Sequence, residues 1–79
     1  MSKRDKLKAK LQSKSAFQWR EVMSLMTQLR WDQLEGSGSR VKFHRNGVLI
    51  SLHSPHPGNE IKAYARKEMI EILKREGDL

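Results

Sequence analysis

Residues 36–57 read GSGSRVKFHRNGVLISLHSPHP, and this stretch contains the strongest structural signal in the sequence. Two runs of residues that favour strands, 40–45 and 48–53, flank Asn46-Gly47. A two-residue type I′ turn needs a positive φ angle at both central residues, and Asn followed by Gly tolerates that best. The pattern therefore predicts a β-hairpin that turns at Asn46-Gly47.

The predicted turn fixes the register of the two strands. Arg45 then lies opposite Val48, and counting inward places Arg40 opposite His53. Because side chains alternate along a strand, one face collects the apolar residues Val41, Phe43, Ile50 and Leu52. The opposite face collects Arg40, Lys42, His44, Ser51 and His53. We predict a sheet with one dry face, which must be covered, and one basic face that carries imidazoles.

The composition limits the class of protein. The chain has 79 residues, no cysteine and a net charge of +7, so it forms one small domain, or a domain with a tail, without disulfides or thiolate metal sites. No apolar run approaches the roughly 18 residues that a membrane span needs. We expect a soluble cytoplasmic protein. Small domains with this much positive charge bind nucleic acid more often than an acidic protein or a membrane surface.

The positive charge is concentrated at the N-terminus. Residues 1–15 hold six Lys or Arg and one Asp, a net charge of +5. Two interpretations remain open: a solvated, partly disordered tail, or an arm that binds phosphate. Leu7 and Leu11 are spaced for a helix over residues 4–12, which is too short to be stable unless it docks.

Helical periodicity appears twice more. One stripe predicts a helix over residues 18–29, and we interpret it as core rather than a ligand pocket; it contains Trp19, Val22, Met23, Met26 and Leu29. The other predicts a helix from Ala63 that stops at Gly77; its stripe contains Ala65, Met69, Ile72 and Leu73. With a first strand over residues 31–34, the fold class is α+β, a three-stranded antiparallel sheet with helices on one face.

Three short motifs, in this order and spacing, resemble the HicA family of toxins: Gly38-Ser39-Arg40-Val41-Lys42-Phe43, His56-Pro57-Gly58 and Glu60-Ile61-Lys62. The resemblance covers about residues 17–77. It implies a fold like that of a double-stranded-RNA-binding domain over residues 16–79, with residues 1–15 as an added basic helix or arm. It also implies metal-independent cleavage of messenger RNA without a cofactor, and a HicB-type antitoxin that forms a hetero-oligomer with the chain.

The sequence departs from the family at one position. The commonest family pattern has its catalytic histidine after Gly-Ser, and here that residue is Arg40. A guanidinium stays protonated at physiological pH and is a poor proton acceptor. The histidine's role therefore does not transfer to Arg40: the chain either uses another general base or is a weakened or inactive form.

Metal-free RNA cleavage needs a base for the 2′-OH, an acid for the leaving 5′ oxygen and cations around the phosphorus. Imidazole suits proton transfer because its unperturbed pKa is about 6.5. The predicted register places His53 across from Arg40, with Cβ atoms about 5.5 Å apart. We therefore predict His53 as the base, with Arg40 and Lys42 binding the phosphate. The alternative is an exposed strand-end histidine without a role.

Other polar residues receive lesser roles. Four are predicted as further RNA contacts: Ser39, His44, Ser51 and Lys62. His44 lies about 13 Å along the strand from Arg40, too far for the same phosphate. His56 and Pro57 are predicted to be structural. The three histidines lack the cysteine or carboxylate neighbours of a zinc site, so no metal is predicted.

Three functions compete. The first is an RNA-cleaving toxin that an antitoxin holds inactive, and the second is a non-catalytic RNA-binding module of the same fold. The third is an interaction domain whose basic face meets an acidic partner. Arg40 favours the second, whereas family resemblance and size favour the first, which is our prediction.

Overall fold

The computed structural model describes residues 2–35, 40–55 and 58–79, apart from the side chain of Glu35. Within these ranges the elements are α1 Lys3–Leu11, α2 Trp19–Gln28, β1 Asp32–Glu35, β2 Arg40–Arg45, β3 Val48–His53 and α3 Ala63–Arg75. The strands form one antiparallel sheet in the order β1-β2-β3. This is the predicted α+β fold with an additional N-terminal helix.

The hairpin forms as its turn residues predict. Asn46 and Gly47 have φ angles of 51° and 80°, the left-handed values that a type I′ turn requires. The pairing runs from Arg45 opposite Val48 to Arg40 opposite His53 without a slip. The predicted turn and register are both confirmed.

The first strand begins one residue later than predicted because Trp31 belongs to the end of α2. The backbone N–H of Trp31 donates to the carbonyl of Met26, and that of Arg30 donates to Thr27. Arg30 has a φ angle of 69°, so the helix ends in a Schellman motif with arginine in the position that glycine usually takes. The indole of Trp31 is buried. α3 ends in the same way at Gly77, as predicted, with Asp78 N–H donating to Leu73.

One hydrophobic core lies between the helices and the inner face of the sheet. Its fully buried side chains come from every helix, from β2 and β3, and from the segment between α1 and α2; the largest are Phe17, Phe43, Leu11, Leu25, Met26, Ile50, Leu52, Met69, Leu73 and Val22. Leu25 is buried although the predicted stripe of α2 omitted it. Trp19 and Met23, which that stripe assigned to the core, are only half-buried.

α1 docks onto this core. Leu7 and Leu11 are buried, and Arg66 of α3 donates to the carbonyls of Lys10, Leu11 and Ser13 at the C-terminal end of α1. These bonds tie α3 to carbonyls at and just beyond the end of α1, where a helix leaves acceptors without partners of its own. α1 is therefore a packed helix.

Glu21 joins α1 to α2. Its carboxylate accepts from Lys10 Nζ at 2.8 Å and from the backbone N–H of Gln18 at 2.9 Å. Burial raises the pKa of Glu21, but these two hydrogen bonds and the charges of Lys10 and Arg20 outweigh it, so the pKa lies below its ordinary value. The ionised carboxylate thus both caps α2 and holds α1.

Candidate nucleic-acid interface

The face of the sheet that points away from the core is the candidate interface, and we call it the outer face. Strand alternation and the two registers assign to it Asp32, Leu34, Arg40, Lys42, His44, Leu49, Ser51 and His53. All of them are exposed except Lys42, which is half-buried. The polar residues that the sequence placed on one face of the hairpin do lie together there.

Arg40 and His53 form the row at the end of the hairpin farthest from the turn. They are directly paired across β2 and β3, and both are exposed. Directly opposed residues in an antiparallel pair have Cβ atoms about 4.5–5.5 Å apart. A guanidinium and an imidazole therefore stand side by side in contact with solvent, within reach of one phosphodiester.

Lys42 occupies the middle row, between Leu34 on β1 and Ser51 on β3. It lies two residues from Arg40 on the same face, so the two cations are about 7 Å apart along the strand. Within the described ranges, no side-chain hydrogen bond or ion pair engages Arg40, Lys42, Ser51 or His53.

The third row differs in charge. His44 pairs with Asp32 on one side and with Leu49 on the other. The carboxylate makes this end of the outer face less attractive to phosphate than the end that carries Arg40. β1 contributes Asp32 and Leu34 to the outer face, and the sequence reasoning did not assign these residues to the site.

The remaining predicted residues lie elsewhere. Lys62 is exposed but is the N-cap residue of α3, not part of the sheet. Ser39, His56 and Pro57 lie outside the described residues. Among the residues that the structure does describe, no group of three His, Asp or Glu side chains is arranged to hold a metal ion.

Arg45 is a residue whose role the sequence reasoning missed. It lies two residues after Phe43 and four after Val41, so it shares the inner face with them. There Nη1 donates to the carbonyl of Leu29 at 2.8 Å, and the guanidinium forms a bidentate pair with Asp78. It also lies over the Trp31 ring, 4.4 Å from the ring centroid. The sequence does contain a signal for this role: Arg45 falls on the same face of the strand as Val41 and Phe43, and a charged residue on an apolar face needs partners.

The described geometry supports phosphate binding and proton transfer at one end of the outer face. An exposed imidazole can exchange protons with a bound substrate, and two neighbouring cations can stabilise a phosphorane. None of the helices among the described residues is long and apolar enough to cross a membrane.

A comparison with known protein families gives a match over most of the chain. Residues 19–77 match the family described as HicA toxin of bacterial toxin-antitoxin. The match covers α2, the whole sheet and α3, and it begins after α1. No curated protein and no solved structure matches the chain significantly.

Proposed function

The chain belongs to the HicA toxin family of bacterial toxin–antitoxin systems, and on that premise we propose that it is an endoribonuclease that cleaves messenger RNA. The single observation that carries the proposal is the direct pairing of His53 with Arg40 on the solvent-exposed face of the sheet. In this proposal the reaction needs no metal ion, because an imidazole supplies the proton acceptor and two neighbouring cations stabilise the charge.

In this mechanism His53 is the general base. Its neutral imidazole takes the proton of the ribose 2′-OH as that oxygen attacks the adjacent phosphorus. The bond from phosphorus to the 5′ oxygen then breaks, and the leaving oxygen takes a proton from water. The imidazolium of His53 passes its proton to the hydroxide that remains, which restores the neutral base. The products are a 2′,3′-cyclic phosphate and a 5′-OH. A positioned base contributes about 10²- to 10⁴-fold to such a rate.

Arg40 and Lys42 bind the phosphate. Charge builds up on the non-bridging oxygens in the transition state, where cationic donors strengthen their hydrogen bonds. At the position where the commonest family pattern has a histidine, Arg40 therefore stabilises charge instead of transferring a proton. Ser51 and, more weakly, His44 contact neighbouring parts of the RNA; Ser39 and Lys62 are further proposed contacts, and His56 and Pro57 a structural element.

We also propose a HicB-type antitoxin as the partner that holds the toxin inactive. Two large apolar side chains of the outer face, Leu34 and Leu49, are 46% and 51% exposed. A protein partner that covers these leucines would also cover Lys42, which lies on β2 between β1 and β3. The proposed organisation is a domain over residues 16–79 with residues 1–15 as its added basic helix.

Expression in bacteria tests the toxin activity. The wild-type chain should arrest growth when induced, and His53→Ala and Arg40→Ala should relieve the arrest at equal protein levels. Arg75→Ala is the matched control, because Arg75 is an exposed arginine of α3 away from the outer face. Growth arrest that persists in the His53→Ala strain would refute the assigned base.

A second candidate function is a non-catalytic RNA-binding module, and the specific observation that favours it is Arg40 in place of a histidine. Such a module would bind RNA with a steep dependence on salt and leave it uncut. Wild-type protein that binds RNA in this way but produces no fragments would favour this function over cleavage.

A further inference from the structure

A groove of about 590 Å³ lies at the N-terminal end of α2, away from the outer face. Its lining residues are Gln18, Trp19, Arg20, Met23 and Asn59. Trp19 and Met23 pack against the core with one part of their surface and line the groove with another, because both are half-buried. The groove therefore offers an aromatic ring and a thioether beside a guanidinium.

The walls of this groove are held in place by backbone contacts. The N–H of Trp19 donates to the carbonyl of Asn59 at 2.6 Å, and the N–H of Ile61 donates to the carbonyl of Phe17 at 2.9 Å. Gln18 and Glu60 form a β-bridge between them. The indole is thus presented on a fixed support, which lowers the entropic cost of binding a ligand.

The chemistry of the groove points to an unpaired base of a nucleic acid. Every base has a flat π face that stacks on tryptophan, and arginine adds a contact to the neighbouring phosphate. The exposed Arg20 and the net charge of +7 favour a polyanion over an apolar peptide. We propose that the groove binds one unstacked base of the RNA substrate on the indole of Trp19.

The proposal rests on the proposed function, and the distance to the outer face is compatible with it. Asn59 follows His53 by six positions in the chain, so the two residues are at most about 21 Å apart along it. One small single-strand-binding domain covers about four or more nucleotides. A single-stranded RNA of that length can contact both the groove and the outer face at His53. The groove would then select RNA in which a base near the cleaved phosphate is unpaired.

Fluorescence provides a direct test, because the chain has two tryptophans and the other, Trp31, is only 5% exposed. The probe is a single-stranded 2′-O-methyl decanucleotide, which lacks the attacking hydroxyl. We expect it to quench the fluorescence of the wild-type protein and of Arg75→Ala, and not that of Trp19→Leu.

Affinity measurements separate stacking from charge. Trp19→Leu should weaken binding about 5- to 150-fold, and Trp19→Phe, which keeps a ring, should restore most of it. An abasic decanucleotide with the same number of phosphates should bind the wild type as weakly as the intact probe binds Trp19→Leu. Tyr64→Leu is the matched control, because it removes a 60% exposed ring outside the groove.

The outcomes distinguish the two proposals. Equal affinity for intact and abasic probes, or salt-dependent binding without quenching, would overturn the base site while leaving RNA cleavage by the wild type untouched. If the folded wild type neither binds the probe nor cuts RNA, the proposed function fails and the base site fails with it. If a HicB-type antitoxin quenches the tryptophan fluorescence and the RNA probe does not, the groove would be assigned to a protein partner instead.

Discussion

Replacing Arg45 with methionine should lower the free energy of unfolding far more than the same change at Arg40. Arg45 and Asp78 form a largely buried ion pair, with 17% and 13% of their side chains exposed, and Arg45 also donates to the carbonyl of Leu29. The guanidinium therefore ties the turn end of β2 to the end of α2 and to the C-terminal segment. Methionine fills similar volume but leaves the carboxylate and the carbonyl without this donor.

The expected cost follows from the burial of these groups. Removing one partner of a buried, hydrogen-bonded ion pair costs about 3–5 kcal/mol, because the other charge is left uncompensated. A domain of this length has a free energy of unfolding of only about 4–12 kcal/mol. Arg45→Met should therefore remove about a quarter or more of this free energy. Arg40→Met, on the exposed face of the same strand, should change it by less than about 0.5 kcal/mol.

Urea denaturation followed by far-UV circular dichroism measures both variants. Asp78→Asn and the double variant complete a thermodynamic cycle, and the coupling energy between Arg45 and Asp78 should exceed about 1 kcal/mol. Equal midpoints for Arg45→Met and Arg40→Met would contradict this prediction, because they would show that the contacts of Arg45 with Asp78 and Leu29 stabilise the protein no more than a surface arginine does.

Three further predictions concern the fold. Leu11→Ala should lower the free energy of unfolding by about 2–5 kcal/mol in urea, because Leu11 is fully buried; a loss below about 0.5 kcal/mol would mean that α1 does not pack on the core. Gly47→Ala should cost about 1 kcal/mol in thermal denaturation, since φ is 80° although space for a Cβ is open; an unchanged melting temperature would contradict the type I′ turn. The pKa of Glu21 is lowered on folding, so its stabilisation is complete above the ordinary value of 4.5 and is lost as pH falls through the folded pKa. Glu21→Gln should therefore flatten the pH dependence of stability below about pH 4.5; identical slopes would exclude the contact with Lys10.

The hairpin could be predicted from sequence because its determinants are local. Two residues, Asn46 and Gly47, set the turn, and strand alternation then fixes which side chains face solvent. The juxtaposition of Arg40 and His53 follows from the same count, so the central pair of the candidate site was available before the structure.

The parts that the sequence did not predict depend on contacts between distant segments. Arg45 meets Leu29 and Asp78, which are 16 and 33 residues away, and no periodic pattern connects them. The burial of α1 likewise depends on Arg66, more than 50 residues from the carbonyls that it binds. The contribution of β1 to the outer face was not assigned, since its register with β2 is not set by a two-residue turn.

The half-buried state of Trp19 shows a further limit of periodicity. Helical spacing identifies the apolar side of α2 but not how far the neighbouring segment 59–61 covers it. That coverage comes from backbone pairing with residues 17–19, which no side-chain pattern encodes.

Incubation of the purified protein with a long RNA in the presence of EDTA tests the central proposal most directly. We expect the wild type to produce fragments with 5′-OH and 2′,3′-cyclic phosphate ends, and His53→Ala to cut about 10²- to 10⁴-fold more slowly. RNA that stays intact at high concentrations of folded wild type, or that His53→Ala cuts as fast as the wild type does, would contradict the proposed site.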